Sequence, residues 1–270
     1  MTRTLAQTYA LPPVKGTRTR LRGARALVTG AVLLGAWWLA VQLFRPDPWM
    51  LPSPVTVLQT LFERATYLLY HASLTGIEIL LGLALGTALG VATAILVQLW
   101  RPARRWVMPL VVASQALPVF AIAPLLMIWF GLGLGSKVAM ATLIIYFPVA
   151  SALNDGLQRV PSEYVDLGRV MGLSDSQLLW RVRLPAAMPA LASGLRVAAT
   201  VAPIGAVVGE WVGAAGGLGF VMTQANARVQ TDVTFAALFV LVLLVLALRA
   251  AMNAALDKLV FWSPKTDGTP

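Results

Sequence analysis

The stretch ILLGLALGTALGVATAILVQLW, residues 79–100, contains no charged residue and is long enough to cross a bilayer as one helix. Other such stretches surround it, because 58% of the 270 residues are apolar and 12% are charged, with a mean hydropathy of +0.76. A soluble domain has about 45–50% apolar and about 25% charged residues. A membrane β-barrel would show short segments of alternating hydrophobicity. The sequence therefore predicts an all-α integral membrane protein with several spans.

The residue types that are missing exclude several kinds of chemistry. There is no Cys, so a disulfide, a cysteine-ligated zinc and a thiol nucleophile are excluded, and the single histidine, His71, excludes a multi-histidine metal site. No Lys follows a Gly, so the phosphate-binding loop of many ATPases is absent. We therefore expect no catalytic residue, metal or cofactor in this chain. If ATP drives the protein, another chain binds the ATP and magnesium.

The uncharged stretches and their flanks predict about six transmembrane helices. These lie near residues 26–44, 75–99, 107–130, 138–156, 190–210 and 234–256. The transmembrane domain is then 26–262, between a basic tail, 1–25, and a short tail, 263–270. With both termini in the cytoplasm, the basic residues that fall outside are few among the 21 present: Arg45, Arg64, Lys137 and Arg228. This positive-inside bias explains the net charge of +10, so we expect membrane lipid and no nucleic acid as a partner.

The longest inside loop, residues 157–189, reads LQRVPSEYVDLGRVMGLSDSQLLWRVRLPAAMP. Pro161 starts a first short helix, which Gly172 ends because glycine tolerates a left-handed cap. Ser174 and Gln177 have the spacing of a capping box and start a second short helix, which Pro185 ends. Such a loop is more ordered than a connector requires. It either packs on its own membrane domain or docks onto a cytoplasmic partner.

The same loop resembles the EAA signature of the permease subunits of ABC-type importers. That signature is Glu-Ala-Ala, three residues, Gly, nine residues, a branched apolar residue, any residue and Leu-Pro. Here Asp166-Leu167-Gly168 takes the first three positions, and Gly172, Val182 and Leu184-Pro185 follow at the same spacing. The departure is Asp-Leu-Gly for Glu-Ala-Ala, which keeps an acid at the first position. The resemblance covers about residues 70–260.

This resemblance implies a type I ABC importer permease fold in the bacterial cytoplasmic (inner) membrane, and a subunit that is not itself an enzyme. A second permease subunit, expected to be another copy of this chain, would complete the pore. An ABC ATPase subunit would bind below, and an extracytoplasmic substrate-binding protein would deliver the solute. The loop would be the coupling element that receives the motion of the ATPase. The coupling residues that this implies are Asp166, Gly172, Leu173, Ser174, Asp175, Gln177, Leu184 and Pro185.

Two further stretches, residues 113–131 and 194–238, resemble one branch of this family. That branch imports nitrate, taurine, alkanesulfonates and the hydroxymethylpyrimidine precursors of thiamine. Both stretches are most similar to the members that carry the thiamine pyrimidine, so a cargo of that type is expected. The alternative is a permease for alkanesulfonate, taurine or nitrate.

The third predicted span contains candidates for the substrate pathway. Gln115 precedes Pro118 and Phe120, and prolines free backbone carbonyls where a helix is buried in protein or lines a cavity. An uncharged amide beside an aromatic ring would suit a flat heterocycle. The alternative is that Gln115 bonds a neighbouring helix and that the prolines only kink the span.

Glu210 and Trp211 are the next pathway candidates, at the end of the fifth span. A glycine-rich segment follows them and looks like an outer re-entrant or gate segment, and Asn226 lies in the outside region between the fifth and sixth spans. The alternative for Glu210 is an ion pair with Arg228 or Arg196. If the carboxylate instead faces the pore, it disfavours an anionic cargo by repulsion.

Three further features precede or open the second span. Residues 45–70 are expected to form a proline-rich entry and then an amphipathic segment on the outer membrane surface. Glu78 is expected to make an interfacial or dimer contact. His71 is expected to be solvated at the mouth of the span.

Two other classes of protein remain as alternatives. A self-powered secondary transporter would show internal repeats and several ionisable groups within the membrane, and no convincing repeat is visible. An integral membrane enzyme would need a cluster of His, Asp or Ser at one depth, and none is visible. Co-purification with an ATP-binding protein separates the permease subunit from both.

Overall fold

The computed structural model describes residues 17–116 and 118–262, and within these ranges the chain is helical and contains no strand. The described elements are α1 (Thr17–Phe44), α2 (Pro54–Glu63), α3 (Ala65–Leu99), α4 (Arg101–Ala116), α5 (Val119–Phe130), α6 (Leu134–Gln158), α7 (Ser162–Val170), α8 (Asp175–Leu178), a π-helical turn (Leu179–Arg183), α9 (Leu184–Gly213), α10 (Leu218–Ala227) and α11 (Thr231–Leu259). α1 begins inside the predicted tail 1–25. The rest of that tail and the predicted tail 263–270 lie outside the described residues.

Four of the described helices are each long and apolar enough to cross a membrane. They are α3, α6, α11 and the continuous helix Asp175–Gly213, which contains α9. α4 and α5 pass the same test only as a bent pair, so the described residues contain four such spans, or five if that pair crosses as one, rather than the six predicted. The apolar part of α1, Val28–Phe44, is shorter. Each predicted span therefore has a helical counterpart, and the all-α membrane fold is confirmed. The second span begins at Ala65 rather than near residue 75.

The third span is not one helix over 107–130, so that prediction is wrong. α4 ends at Ala116, Pro118 is extended with φ −66° and ψ 115°, and α5 begins at Val119. The two halves are bent by 104°. A proline ring removes a backbone donor and disfavours the helical conformation of the residue before it. Pro118 therefore separates two helices.

The centre of the molecule is built by α3, α6 and α9, which pack through small residues. Gly82, Gly86 and Gly90 repeat every four residues and form one stripe on α3. A Cβ at Gly86 would lie 2.7 Å from Ile145 Cγ2, and a Cβ at Gly90 would lie 2.9 Å from Val149 Cβ, both on α6. Small residues at this spacing let helix backbones approach closely in a membrane. The stripe therefore fixes the distance between α3 and α6.

Two short helices lie beside the spans, at the end of α9 that is remote from α7 and α8. α2 begins with the Ser53 cap, whose side chain accepts a hydrogen bond from Thr56 N–H, and the Thr60 hydroxyl donates to Asp232 of α11 at 2.7 Å. α10 buries Leu218 and Val221 in a core that it shares with α3 and α11. The predicted amphipathic segment of residues 45–70 thus includes α2, although its last part belongs to α3.

Candidate functional site

The turn at Gly172 joins α7 to α8 and has the geometry of a helix C-cap. The Leu173 N–H donates to the Gly168 carbonyl at 3.0 Å, and the Gly172 N–H donates to the Arg169 carbonyl at 2.9 Å. These two bonds form a Schellman motif. Gly172 has φ +78°, and no atom lies within 4 Å of the position that a Cβ would take. The left-handed backbone, rather than lack of space, therefore requires glycine here.

The second short helix begins with the predicted capping box. The Gln177 N–H donates to Ser174 Oγ at 3.3 Å, and the Ser174 N–H donates to Gln177 Oε1 at 3.0 Å. The prediction that Pro185 ends this helix is wrong, because the chain passes through the π-helical turn directly into α9. Pro185 lies in the first turn of α9, where a proline is tolerated. The loop is thus joined rigidly to a membrane span.

One side of α7 packs on α8, and its other side is exposed and apolar. A Cβ at Gly168 would lie 2.5 Å from Leu178 Cδ2, so the absent side chain lets the two short helices touch. On the free side, Val170 is 85% exposed and Met171 is 71% exposed. We define the loop tip by its exposed large side chains, Tyr164, Leu167, Val170 and Met171. Sequence reasoning included Leu167, Val170 and Met171 in the coupling segment but did not single out these four residues as an exposed surface, although their clustering in one short helix and its cap was a signal.

The acidic residues predicted for coupling are exposed in the same folded element. Asp166 pairs with Arg169 across 3.5 Å, and both side chains are largely in solvent, where an ion pair adds little stability. Asp175 is exposed at the start of α8. Leu173 and Leu184 are half-buried. The structure therefore brings the predicted coupling residues together in one compact segment that carries an apolar tip.

At the far end of α9, three side chains bind the first backbone amides of α10. The Gly217 N–H donates to His71 Nδ1 at 3.0 Å, and the Leu218 N–H donates to Thr75 Oγ1 at 2.8 Å. The Gly219 N–H donates to Glu210 Oε2, while Glu210 Oε1 accepts the Thr75 hydroxyl at 2.6 Å. We call His71, Thr75 and Glu210 the cap network. It satisfies the free amides that begin a helix, and a carboxylate is favourable there.

The cap network corrects two sequence predictions. Glu210 does not pair with Arg228 or Arg196, since its two oxygens bind Thr75 and Gly219, and Arg196 instead bonds Asn253 and Asp257 of α11. His71 is not solvated, because it is 5% exposed beneath α10.

A third correction concerns Glu78, which is neither at the surface nor free for a dimer contact. It is buried between helices and pairs with Lys137 of α6 at 3.0 Å. Lys137 was predicted to lie in an outside segment, yet it is buried too. The partners come from different spans, so neither residue carried a local signal of the pair.

The predicted pathway residues fall into one pair and several separate positions. Phe120 of α5 and Trp211 of α9 bring their ring centroids to 6.1 Å, next to the break at Pro118, and both side chains are exposed. Gln115 lies in α4, and its side chain is outside the described part. Asn226 is exposed near the end of α10. The structure therefore joins two aromatic candidates, while Glu210 belongs to the cap network.

Comparison with known proteins gives the family. Residues 86–261 match the family described as "Binding-protein-dependent transport system inner membrane component". The chain belongs to this family. It is thus the non-catalytic permease subunit of an ABC importer, a multi-pass protein of the inner membrane, and ATP is hydrolysed by a separate ATPase. A binding protein is the other partner of such a transporter.

Several relatives match the permease over most of its length. A "Probable ABC transporter permease protein" of Haemophilus influenzae is 47% identical, over 90% of this chain and 99% of its own. The formylaminopyrimidine transport permease protein ThiX of Halalkalibacterium halodurans is 34% identical, over 87% and 94%. The taurine transport system permease protein TauC of Escherichia coli is 32% identical, over 87% and 88%.

A solved structure agrees in fold. The MetNI methionine ABC transporter, in an inward-facing conformation, contains a chain that aligns with 71% of this permease and 95% of its own length. The TM-score is 0.63 at 22% sequence identity. The type I importer fold that the coupling signature implied is confirmed.

Proposed function

We propose that this permease imports a small pyrimidine of the thiamine-precursor type. The observation that carries the proposal is the 34% identity to ThiX over 87% of the chain, since ThiX is a formylaminopyrimidine permease. The exposed rings of Phe120 and Trp211 support it, because aromatic side chains stack on flat heterocycles. The second candidate is taurine or a related sulfonate, which the 32% identity to TauC favours.

We also propose that the loop of residues 157–189 couples the pore to the ATPase. The loop tip is an apolar surface on a folded element, and such a surface marks a protein contact. The eight coupling residues act by holding that tip: Gly172 shapes its turn, Ser174 and Gln177 cap α8, and Leu184 and Pro185 begin α9. ATP-driven closure of the ATPase then moves the tip, and α9 carries the motion into the membrane.

The remaining parts of the importer follow from the same proposal. A second copy of this chain completes the pore, both termini are cytoplasmic, and the binding protein docks on the opposite side, near α2 and α10. The permease itself uses no metal or cofactor. Each of these statements extends the family assignment to this chain.

The first test is uptake by cells that lack the gene. We expect the deletion to abolish uptake of labelled hydroxymethylpyrimidine and to leave labelled taurine uptake unchanged. Loss of taurine uptake alone would overturn the pyrimidine assignment and favour the sulfonate candidate. Unchanged uptake of both labelled compounds would contradict both cargo assignments.

The same cells test the coupling loop. We expect Gly172→Val to insert normally but to fail to restore uptake, because a β-branched residue at φ +78° is strained by at least about 1–2 kcal/mol. Gly172→Asn is the matched control, since asparagine tolerates this conformation and no atom opposes its side chain. Normal uptake with Gly172→Val would contradict the role of the turn, whatever the cargo is.

A further inference from the structure

A cleft of about 1320 Å³ lies where the ends of α3 and α6 meet the start of α4 and the helices of the coupling loop. The spans α3 and α6 end at Leu99 and Gln158, so the cleft lies at the level where membrane gives way to water. Trp100 and Trp106 are exposed at this level, and tryptophan is enriched at membrane interfaces. The cleft is therefore placed beside lipid headgroups.

The charge of the cleft is strongly positive. Four arginines line it, Arg104, Arg105, Arg169 and Arg183, and the acidic side chain on its wall is Asp175. Arg104 donates to Gln158 and Arg169 pairs with Asp166. Within the described ranges, no side-chain hydrogen bond or ion pair joins the guanidinium group of Arg105 or Arg183 to another residue. Two guanidinium groups in one cleft can thus donate hydrogen bonds to a ligand.

The π-helical turn places one of these two arginines, Arg183, at the wall of the cleft. Arg183 closes the π-helical turn between α8 and α9, where it is half-buried. Single π-helical turns inside longer helices are rare and occur frequently at functional sites. A regular helix here would rotate Arg183 to another position relative to α8.

The wall made by α4 is amphipathic along its length. Arg104, Met108 and Val112 follow one another at intervals of four residues, and all three line the cleft. A ligand along this wall meets guanidinium groups at the α4 start and apolar side chains deeper in the membrane. This order fits an anionic head with an acyl chain. Arginine binds phosphate by paired hydrogen bonds, and basic pockets between spans bind anionic headgroups.

We propose that this cleft binds a phosphate group, supplied by the headgroup of an anionic phospholipid whose acyl chain lies along α4. The alternative source of the same group is soluble phosphate. The site adjoins the coupling loop, so a bound lipid would contact both α4 and the π-helical turn.

The test is lipid binding to the purified full-length protein in detergent, measured by native mass spectrometry. The probes are phosphatidylglycerol and a diacylglycerol with the same acyl chains, which lacks the phosphate. We expect phosphatidylglycerol alone to bind, and Arg105→Gln with Arg183→Gln to weaken it about tenfold or more. The matched control is Arg159→Gln with Arg181→Gln, which removes the same charge from exposed arginines that do not line the cleft. We expect this control to bind like the wild type.

Each outcome of the lipid-binding test either supports the phosphate site or contradicts it. The proposed site would be overturned if both double variants lost the same affinity for phosphatidylglycerol. It would also be overturned if diacylglycerol bound the wild type as tightly as phosphatidylglycerol does. Displacement of the lipid by millimolar inorganic phosphate would keep the phosphate site but assign it to a soluble ligand. Thermal unfolding of the wild type and both double variants at the same temperature shows that the variants are folded. The result does not depend on the transported cargo, because no transport is measured.

Discussion

Glu210 is a buried carboxylate that acts as a helix cap rather than as one half of an ion pair. It is 1% exposed, and its oxygens accept from the Gly219 N–H and from the Thr75 hydroxyl. A Cβ on Gly217 would collide with the same carboxylate, and Gly217 has φ +106°. Glycine is therefore required at 217 both for its conformation and for the approach of Glu210.

We expect Glu210→Met and Thr75→Val each to lower the free energy of unfolding by about 1–3 kcal/mol, because each leaves buried donors without a partner. Glu210→Met combined with Thr75→Val should lower the free energy of unfolding by less than the sum of the two single losses, since both residues belong to one network. Denaturant titration in mixed micelles measures this. Thr200→Val is the control, because Thr200 is exposed and bonds only its own helix at Arg196. Additive losses would contradict a shared network.

For single residues, the sequence indicated which side chains are unusual in a membrane but not which groups they bind. Glu78 and Glu210 stood out because charge in a membrane is costly. Their partners could not be read, since Thr75 and Glu210 are 135 residues apart in the chain. Gly172, Ser174 and Gln177 were predicted correctly because the bonds of a cap lie within a few residues of one another.

At the scale of the element, the glycine stripe of α3 sets how closely α6 can pack. Gly86→Ala should lower the free energy of unfolding by about 1–3 kcal/mol, because its Cβ would lie 2.7 Å from Ile145 Cγ2 in a packed interface. Gly76→Ala on the same helix should be neutral or stabilising, since its Cβ meets only Leu244 Cδ1 at 3.8 Å. Thermal unfolding of the purified variants compares them, and similar losses at both positions would contradict the stripe.

The positions of the helices were readable from hydropathy, but their junctions were not. Uncharged stretches gave α6 and α11 to within several residues, whereas α1, α3 and the helix Asp175–Gly213 begin earlier than predicted and the third span is broken. Pro118 and Pro185 are both helix breakers by sequence, yet Pro118 separates two helices and Pro185 lies within a continuous one. Pro185 follows a π-helical turn, whereas Pro148 and Pro203 lie inside regular α-helices, so a proline alone does not mark where a helix ends.

At the scale of the whole molecule, one helix joins the two candidate sites. α9 has 30 residues, which corresponds to about 45 Å of helix, and runs from the π-helical turn to Glu210. Its centre is packed against α6 through Gly194 and Gly205, where a Cβ would collide with α6. The loop of residues 157–189 and the start of α10 are therefore held at opposite ends of one packed helix. One continuous helix, which contains Pro189 and Pro203, therefore connects the loop of residues 157–189 to the cap network.

The loop tip should therefore be separable from the fold by mutation. Val170→Asp with Met171→Asp should leave insertion and thermal unfolding unchanged, because both side chains are exposed. The same variant should weaken binding to the co-expressed ATPase subunit by more than about tenfold, since a desolvated charge is costly in an apolar interface. Val229→Asp is the control for Val170→Asp alone, because each adds one negative charge on an exposed valine, and Val229 lies in the turn between α10 and α11, remote from the tip. Co-purification of the ATPase at wild-type yield with the tip variant would show that the tip is not the contact, and equal loss with Val229→Asp would show that added charge alone disrupts the complex.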